Sequence, residues 1–206
     1  MTNKTELMSV VEQHCGQIID SLYFKYIKSE SINIVLLSIF NLKKILADQN
    51  LLIAINMTKI ESKHLKDLCK VLYENVCVRD IDQKFENFVL QYDMSLDYLK
   101  KNSLLIPYEV LLNELSKNII ECNWKQSIAS LATTEYIFTL IFKQLNTYAK
   151  DETLKLDESN DATLNLLKIL ESEMNPDIEK GIITTAKNFL DLFDILCEVF
   201  FNDSSL

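Results

Sequence analysis

Apolar residues recur every three to four positions along nearly the whole chain, a spacing that places them on one face of an α-helix. The segments with this periodicity are 5–28, 31–47, 50–77, 81–92, 108–121, 124–149, 162–173 and 176–201. A shorter turn of helix is expected over 95–101, with Ser95 as its N-cap. Because no repeat and no shift in composition divides the pattern, the sequence predicts a single all-α helical bundle spanning residues 1–206.

Residues typical of helix starts support this assignment. Asn175 precedes Pro176 and Asp177, an order in which asparagine caps the helix, proline suits its first position and aspartate complements the positive end of the helix dipole. Pro107 is likewise expected to open the helix that carries Tyr108. These local signals fix the beginnings of two helices independently of the apolar pattern.

Composition narrows the partners expected for this chain. Only two glycines and two prolines occur, which favours long helices over turn-rich sheets. The formal net charge is −9, so nucleic acid, which proteins bind mainly through Lys and Arg on phosphate, is not an expected partner. The N-terminus lacks the basic start and apolar run of a signal peptide, and no apolar run is long enough for a membrane span. We therefore expect a cytoplasmic protein without a membrane segment.

Cysteine and histidine offer little for metal chemistry. No Cys-x-x-Cys spacing occurs among the cysteines, which are Cys15, Cys69, Cys77, Cys122 and Cys197. Their odd number and wide spacing predict reduced thiols rather than a disulfide framework. The two histidines, His14 and His64, have no ligand-type partners at fixed spacing, so neither a metal site nor a cofactor is expected.

One carboxylate interrupts the apolar stripe of the helix predicted over 124–149. The apolar members of that stripe are Trp124, Ile128, Leu131, Phe138, Phe142 and Leu145. Glu135 fills the gap of seven residues in the middle and is expected to face the interior of the bundle. Burying a carboxylate is costly unless it is paired or neutralised. Glu135 is therefore either a catalytic or ligand-binding group or one half of a structural ion pair with a lysine of a neighbouring helix.

A second polar residue fills a gap in an earlier apolar stripe. The apolar positions there are Val35, Ile39, Leu42, Leu46, Ile53, Met57 and Ile60. Gln49 occupies the gap, provided that the helix continues through 47–50 without a break. Gln49 and Glu135 are thus two candidates for the lining of one internal pocket.

The order and spacing of several segments resemble the TenA, or thiaminase II, family of the haem-oxygenase-like helical superfamily. Segment 42–52 (LKKILADQNLL) is similar in phase to the family pattern F-x-x-Y-L-x-Q-D-Y-x-Y-L. Segment 82–112 follows the family order of an acidic helix, a short helix and a Tyr-x-x-(Tyr/Leu)-Leu helix, with Tyr108 as the tyrosine. Segment 131–138 (LATTEYIF) aligns with L-P-C-x-W-x-Y, and segment 196–201 (LCEVFF) resembles the C-terminal E-Y-x-F-W.

The resemblance implies a compact helical domain, assembled as a homo-oligomer (a tetramer or a dimer), with one deep pocket per chain. In that family the pocket binds the aminopyrimidine half of thiamin or its breakdown products. Active members hydrolyse an aminopyrimidine or cleave thiamin with a cysteine nucleophile, an aspartate and a glutamate, and without a metal. For this chain the resemblance implies Glu135 and Glu198 as catalytic carboxylates and, as ligand-binding residues, Asp48, Gln49, Tyr108, Thr134 and Phe138. Helical periodicity gives an alternative for Glu198, because it shares a face with Lys187, Asp191 and Asp194 and would there be an ordinary surface glutamate.

This chain departs from the family at the reactive positions. Thr134 stands at the cysteine position, and Gln49 stands at the aspartate position with Asp48 one step out of phase. A branch of the family without the cysteine carries glutamate nearby in a sequence like A-I-E-A-V-Y, which the segment around Glu135 resembles more closely. Without a thiolate, water activated by Glu135 is the expected nucleophile.

Three other functions are open on sequence grounds. The replaced cysteine and aspartate fit a non-catalytic protein that binds a pyrimidine or another small molecule on the same fold. An interaction or regulatory protein is compatible with the acidic surface, although direct DNA binding would need a basic patch. A haem-degrading activity would use His14 in the first helix, but the chain lacks a glycine-bent distal helix.

Overall fold

The computed structural model describes residues 6–21, 23–25, 32–78, 86–87, 89–90, 105–148, 161–172 and 175–201, together with residues 92, 97, 152 and 155. Within these ranges the chain forms helices and no strand, so the all-α prediction is confirmed for them. The helices are α1 (Glu6–Ile19), α2 (Ile32–Lys59), α3 (Lys63–Val78), α4 (Leu105–Glu121), α5 (Trp124–Leu145), α6 (Asp161–Ser172) and α7 (Pro176–Phe201). A 3-10 turn, Asn146–Tyr148, follows α5.

The apolar pattern misplaces the boundary between the second and third helices. It predicts a break within 47–50, whereas α2 continues through these residues and ends at Lys59. The break lies instead at 60–62, where Ser62 begins α3. The Ser62 hydroxyl accepts from the Leu65 N–H at 3.5 Å, and its carbonyl accepts from the Lys66 N–H at 3.0 Å. The N-cap is therefore the local signal that decides where the chain turns.

The first helix is also shorter than the predicted 5–28. It ends at Ile19, and the next N–H, that of Asp20, bonds to the Gly16 carbonyl at 3.1 Å. The chain is helical again over residues 23–25. The helix predicted at 81–92 and the turn at 95–101 lie largely outside the described residues.

Of the two helix starts predicted from proline, that of the last helix is confirmed, whereas α4 begins at Leu105, two residues before Pro107. The Asn175 side chain accepts from the N–H groups of Asp177, at 3.0 Å, and Ile178, at 3.1 Å. Pro176 is the first residue of α7, where its missing N–H costs nothing because the first turn has no intrahelical acceptor. The acidic Asp177 lies in that same turn. Local sequence alone therefore positions α7.

Helix α5 is the centre of the bundle. It packs against α1, α2, α4, α6 and, most extensively, α7. Its side chains are buried around almost the whole circumference rather than along one stripe. The helix begins at an Asn123 cap, whose side chain accepts from the Gln126 N–H at 3.0 Å. A polar residue in the middle of α5 is therefore held in the protein interior whichever way it points.

A glycine allows α5 and α7 to approach each other closely. A Cβ atom on Gly181 would lie 2.6 Å from the Gln126 carbonyl oxygen and 3.1 Å from the Ala129 Cβ. Real Cβ atoms do not approach a backbone oxygen so closely, so the contact between these helices depends on glycine at this position. No helix in the described part of the chain combines the length and apolar character that a membrane crossing requires.

Candidate functional site

Glu135 lies at the midpoint of α5 and is fully buried. The apolar stripe predicts that Glu135 is buried. The stripe residues on either side of it, Leu131 and Phe138, are buried as well. The backbone carbonyl of Glu135 accepts a hydrogen bond from the Thr139 hydroxyl at 3.1 Å, in addition to its hydrogen bond within the helix. The carboxyl group is thus placed in the interior of the bundle, where burying a charge is costly unless it is paired.

Aromatic rings form a continuous cluster beside Glu135. Phe138 stacks on Phe142 at 5.9 Å between ring centroids and meets Phe189 of α7 edge to face at 5.8 Å. Phe189 lies 6.4 Å from Phe193, which stacks on Tyr23 at 5.0 Å. Offset and edge-to-face pairs of this kind are the favourable arrangements of aromatic rings. Phe138 therefore belongs to the core, and its ring could pack against a flat ligand only by replacing one of these contacts.

Tyr108 is buried and neighbours Tyr23, a member of this cluster. Burial raises the pKa of its hydroxyl well above the ordinary value, and the neighbouring Tyr23 hydroxyl adds to the effect. The Tyr108 hydroxyl has no hydrogen-bond partner of good geometry among the described residues. It is therefore a neutral donor and acceptor in the interior.

Thr134 does not present a free nucleophile. Its hydroxyl donates to the Ser130 carbonyl of its own helix at 2.9 Å, and the adjacent Thr133 hydroxyl donates to Ala129 at 2.7 Å. Side-chain bonds back to the carbonyl four residues earlier satisfy a buried hydroxyl without help from another helix. Thr134, which the resemblance aligns with a cysteine, thus donates its hydroxyl proton to a carbonyl of its own helix.

The other predicted residues are not brought together with Glu135 by the described structure. Glu198 is exposed on α7, on the same face as Lys187, Asp191 and Asp194, which are also exposed. The backbone of Asp48 and Gln49 is helical, which meets the condition for Gln49 to fill the gap in the stripe. The side chains of Asp48 and Gln49 lie outside the described residues.

Three of the described thiols, those of Cys15, Cys69 and Cys197, are poor nucleophiles. Burial raises the pKa of Cys15 and of Cys69 to about 12. Burial, followed by the charge of Asp194, raises that of Cys197 to about 11. A neutral thiol reacts far more slowly than a thiolate. Among the described residues no three His, Cys, Asp or Glu side chains form a group suited to a metal ion.

The sequence reasoning missed Asn41. This residue of α2 is fully buried, and neither its side-chain oxygen nor its nitrogen has a hydrogen-bond partner among the described residues. A buried amide normally finds partners in protein or ordered water. The sequence does contain a signal for a buried polar residue here, because Asn41 interrupts the apolar run from Phe40 to Leu42. Helix α2 packs against α5, so Asn41 is a further buried polar group in the same helix bundle as Glu135.

Comparison with known proteins gives no relative. No protein-family model, curated protein or solved structure matches this chain.

Proposed function

We propose that this protein binds a small amino-substituted heteroaromatic molecule, of the aminopyrimidine class, in the interior of the bundle with Glu135 as the recognising carboxylate. The observation that carries the proposal is the complete burial of Glu135 at the midpoint of the helix that contacts five others. Glutamate is rarely found fully buried, and buried carboxylates are frequent at functional sites, so this placement favours a functional role. The resemblance of segment 131–138 to the TenA pattern supplies the ligand class.

The interior chemistry suits such a ligand. A carboxylate accepts hydrogen bonds from an exocyclic amino group and from a protonated ring nitrogen, and such charge-assisted bonds are the stronger kind. Asn41 supplies a further donor and acceptor. Phe138 lies one turn from Glu135, and its ring can pack against the ligand in place of one of its contacts with Phe142 and Phe189. These three side chains are the groups on which we expect the ligand to depend.

Binding without turnover is the better supported form of this function. The Thr134 hydroxyl is engaged by the Ser130 carbonyl, and the buried thiols of Cys15 and Cys69 are neutral near pH 7. Hydrolysis of the thiaminase II type is the second candidate, with Glu135 activating water. The resemblance gives Glu198 as its second carboxylate, so turnover would fall in Glu198→Gln as well as in Glu135→Gln.

The test is a calorimetric titration with hydroxymethylpyrimidine, the pyrimidine alcohol of thiamin salvage. We expect saturable binding that weakens by about tenfold or more in Glu135→Gln, since a hydrogen bond to a charged group contributes about 1.5–3 kcal/mol. Glu179→Gln makes the same chemical change at an exposed position of α7 and should leave the affinity unchanged. Product analysis after long incubation separates binding from hydrolysis. Equal affinity in the wild type and Glu135→Gln would refute the assignment.

We also propose a cytoplasmic homo-oligomer, a dimer or tetramer. Val110 of α4 and Ile195 of α7 are 55% and 45% exposed, and both border one depression between these helices. Apolar side chains grouped on a surface are typical of contacts between subunits. Sedimentation of the wild type and of Val110→Glu tests the assembly, because the charge should dissociate it. A monomeric wild type would contradict the proposal.

A further inference from the structure

A cleft between α2 and α3 is separate from the interior site. Its volume is about 560 Å³, within the range of roughly 300–1,000 Å³ that small-molecule pockets occupy. The cleft is lined by Ala54, Met57, Thr58, Lys66, Lys70, Tyr73 and Glu74. None of the residues considered for the pyrimidine site is among them, so the two sites can be tested independently.

The floor of this cleft is apolar. Almost all of the surface that lines it belongs to apolar atoms, and Met57 and Tyr73 are half-buried against the core. The Thr58 hydroxyl donates to the Ile55 carbonyl at 2.6 Å, so this polar group is satisfied within its own helix. Lysine side chains add methylene stems to such a surface while their ammonium groups stay in water.

The rim of the cleft carries two positive charges and one negative charge. Lys66 and Lys70 lie one turn apart on the same face of α3, and both are exposed. Glu74 lies one further turn along and approaches Lys70 with 3.8 Å between nitrogen and oxygen. The chain as a whole has a net charge of −9, so the two ammonium groups at the mouth of an apolar cleft reverse the general sign locally.

We propose that this cleft binds an amphipathic carboxylate, such as a medium-chain fatty acid. Its hydrocarbon chain lies against Ala54, Met57 and Tyr73, and its carboxylate lies at the rim by Lys66 and Lys70. An apolar floor alone would accept any hydrophobic molecule, and the lysines select the anionic one. Glu74 opposes the carboxylate, so it limits the affinity of the site.

The test is a calorimetric titration of the whole protein with dodecanoate, and with dodecylammonium as its cationic counterpart, below the concentrations at which either aggregates. The proposal predicts saturable binding of dodecanoate and at least about tenfold weaker binding of dodecylammonium. Non-specific binding to a chain of net charge −9 would give the reverse order. Decanoate should bind about fifteenfold more weakly than dodecanoate, since each buried methylene contributes about fourfold.

Variants at the rim give effects of opposite sign. Lys66→Gln should weaken dodecanoate binding by about two- to fivefold and Glu74→Gln should strengthen it by a similar factor, the size expected for exposed charges. Ala54→Leu fills the floor and should lower the affinity about tenfold or more. Lys187→Gln removes a lysine from the exposed face of α7 and should change nothing. Circular dichroism melting curves confirm that each variant is folded.

Several outcomes would overturn the proposal. These are no binding of dodecanoate up to its solubility limit, binding of dodecylammonium as tight as that of dodecanoate, or affinities that do not respond to Ala54→Leu and Lys66→Gln. A self-association of the chain that Ala54→Leu abolishes, with no dodecanoate bound, would show that a second copy occupies the cleft instead.

Discussion

The two halves of α5 place polar groups in the core in different ways. Beyond its first turn, the buried polar side chains of the N-terminal half are small, and the hydroxyls of Ser127, Thr133 and Thr134 bond to backbone carbonyls. In the C-terminal half the buried side chains are mostly large and apolar, led by Phe138 and Phe142, and Thr139 is the buried polar one. Glu135 stands where the two halves meet.

The difference shows why Glu135 is the functional candidate of this helix. A hydroxyl has a proton to donate, and a helix carbonyl has a second lone pair to accept it, so a buried Ser or Thr can be satisfied by its own helix, as Thr133 and Thr134 are. An ionised carboxylate only accepts, and the N–H groups in the middle of a helix are already bonded. Hydrogen-bond donors to an ionised Glu135 carboxylate must therefore come from outside α5, either from another helix or from a ligand.

The largest effect is expected from breaking the aromatic packing against the C-terminal half. Phe189→Ala removes a ring that contacts both Phe138 and Phe193. The free energy of unfolding should fall by about 3–5 kcal/mol, the cost typical of deleting a buried phenylalanine side chain. Chemical denaturation measures it. Ile183→Ala, at a 36% exposed position of the same helix, should cost about 1 kcal/mol or less, and equal costs would contradict the account.

An intermediate effect is expected at the close contact of the N-terminal half. Gly181→Ala places a Cβ atom 2.6 Å from the Gln126 carbonyl oxygen, so α7 must move away from α5, at a cost of about 1–3 kcal/mol. Gly16 of α1 is the matched control, since a Cβ there meets nothing within 4 Å. Gly16→Ala should stabilise the protein by about 0.5–1 kcal/mol, because alanine is the better helix former. Thermal melting of both variants should therefore give shifts of opposite sign.

The smallest effect is expected at the threonine beside Glu135. Thr134→Val removes a hydroxyl whose acceptor, the Ser130 carbonyl, keeps its place in the helix. The shape is unchanged, and no buried donor is left without an acceptor, so the free energy of unfolding should change by less than about 1 kcal/mol. Ligand affinity should also be unchanged if Thr134 has only this local role. A large loss of ligand affinity in Thr134→Val would instead show that the Thr134 hydroxyl takes part in binding the ligand.

Local signals account for what the sequence predicts correctly. The cap at Asn175 and the apolar stripe through Glu135 depend only on residues a few positions apart, and both are found in the structure. The break at Ser62 was missed because the apolar periodicity of α2 continues past 50 and masks a single capping residue. The role of Gly181 could not be predicted, because it depends on which helix packs against it.

The candidate site is less predictable than the fold because it depends on contacts between helices, as the role of Gly181 does. A stripe predicts that Glu135 is buried, but it does not say which side chains of other helices face it. The interruption of an apolar run at Asn41 indicates that this residue is buried, but it does not say which groups surround it. The exposure of Glu198 follows from its charged helix face rather than from the resemblance. The cleft between α2 and α3 depends on how these two helices pack against each other, so no pattern within either helix predicts it.

The most direct test of the central claim is the ratio of hydroxymethylpyrimidine affinities between the wild type and Glu135→Gln, measured by calorimetry with Glu179→Gln as control. The account predicts saturable binding to the wild type and the control, and binding about tenfold or more weaker in Glu135→Gln. No heat of binding up to millimolar ligand, or equal affinities in all three proteins, would contradict it. Glu135 would then be a structural carboxylate, and the ligand would have to be sought elsewhere in the molecule.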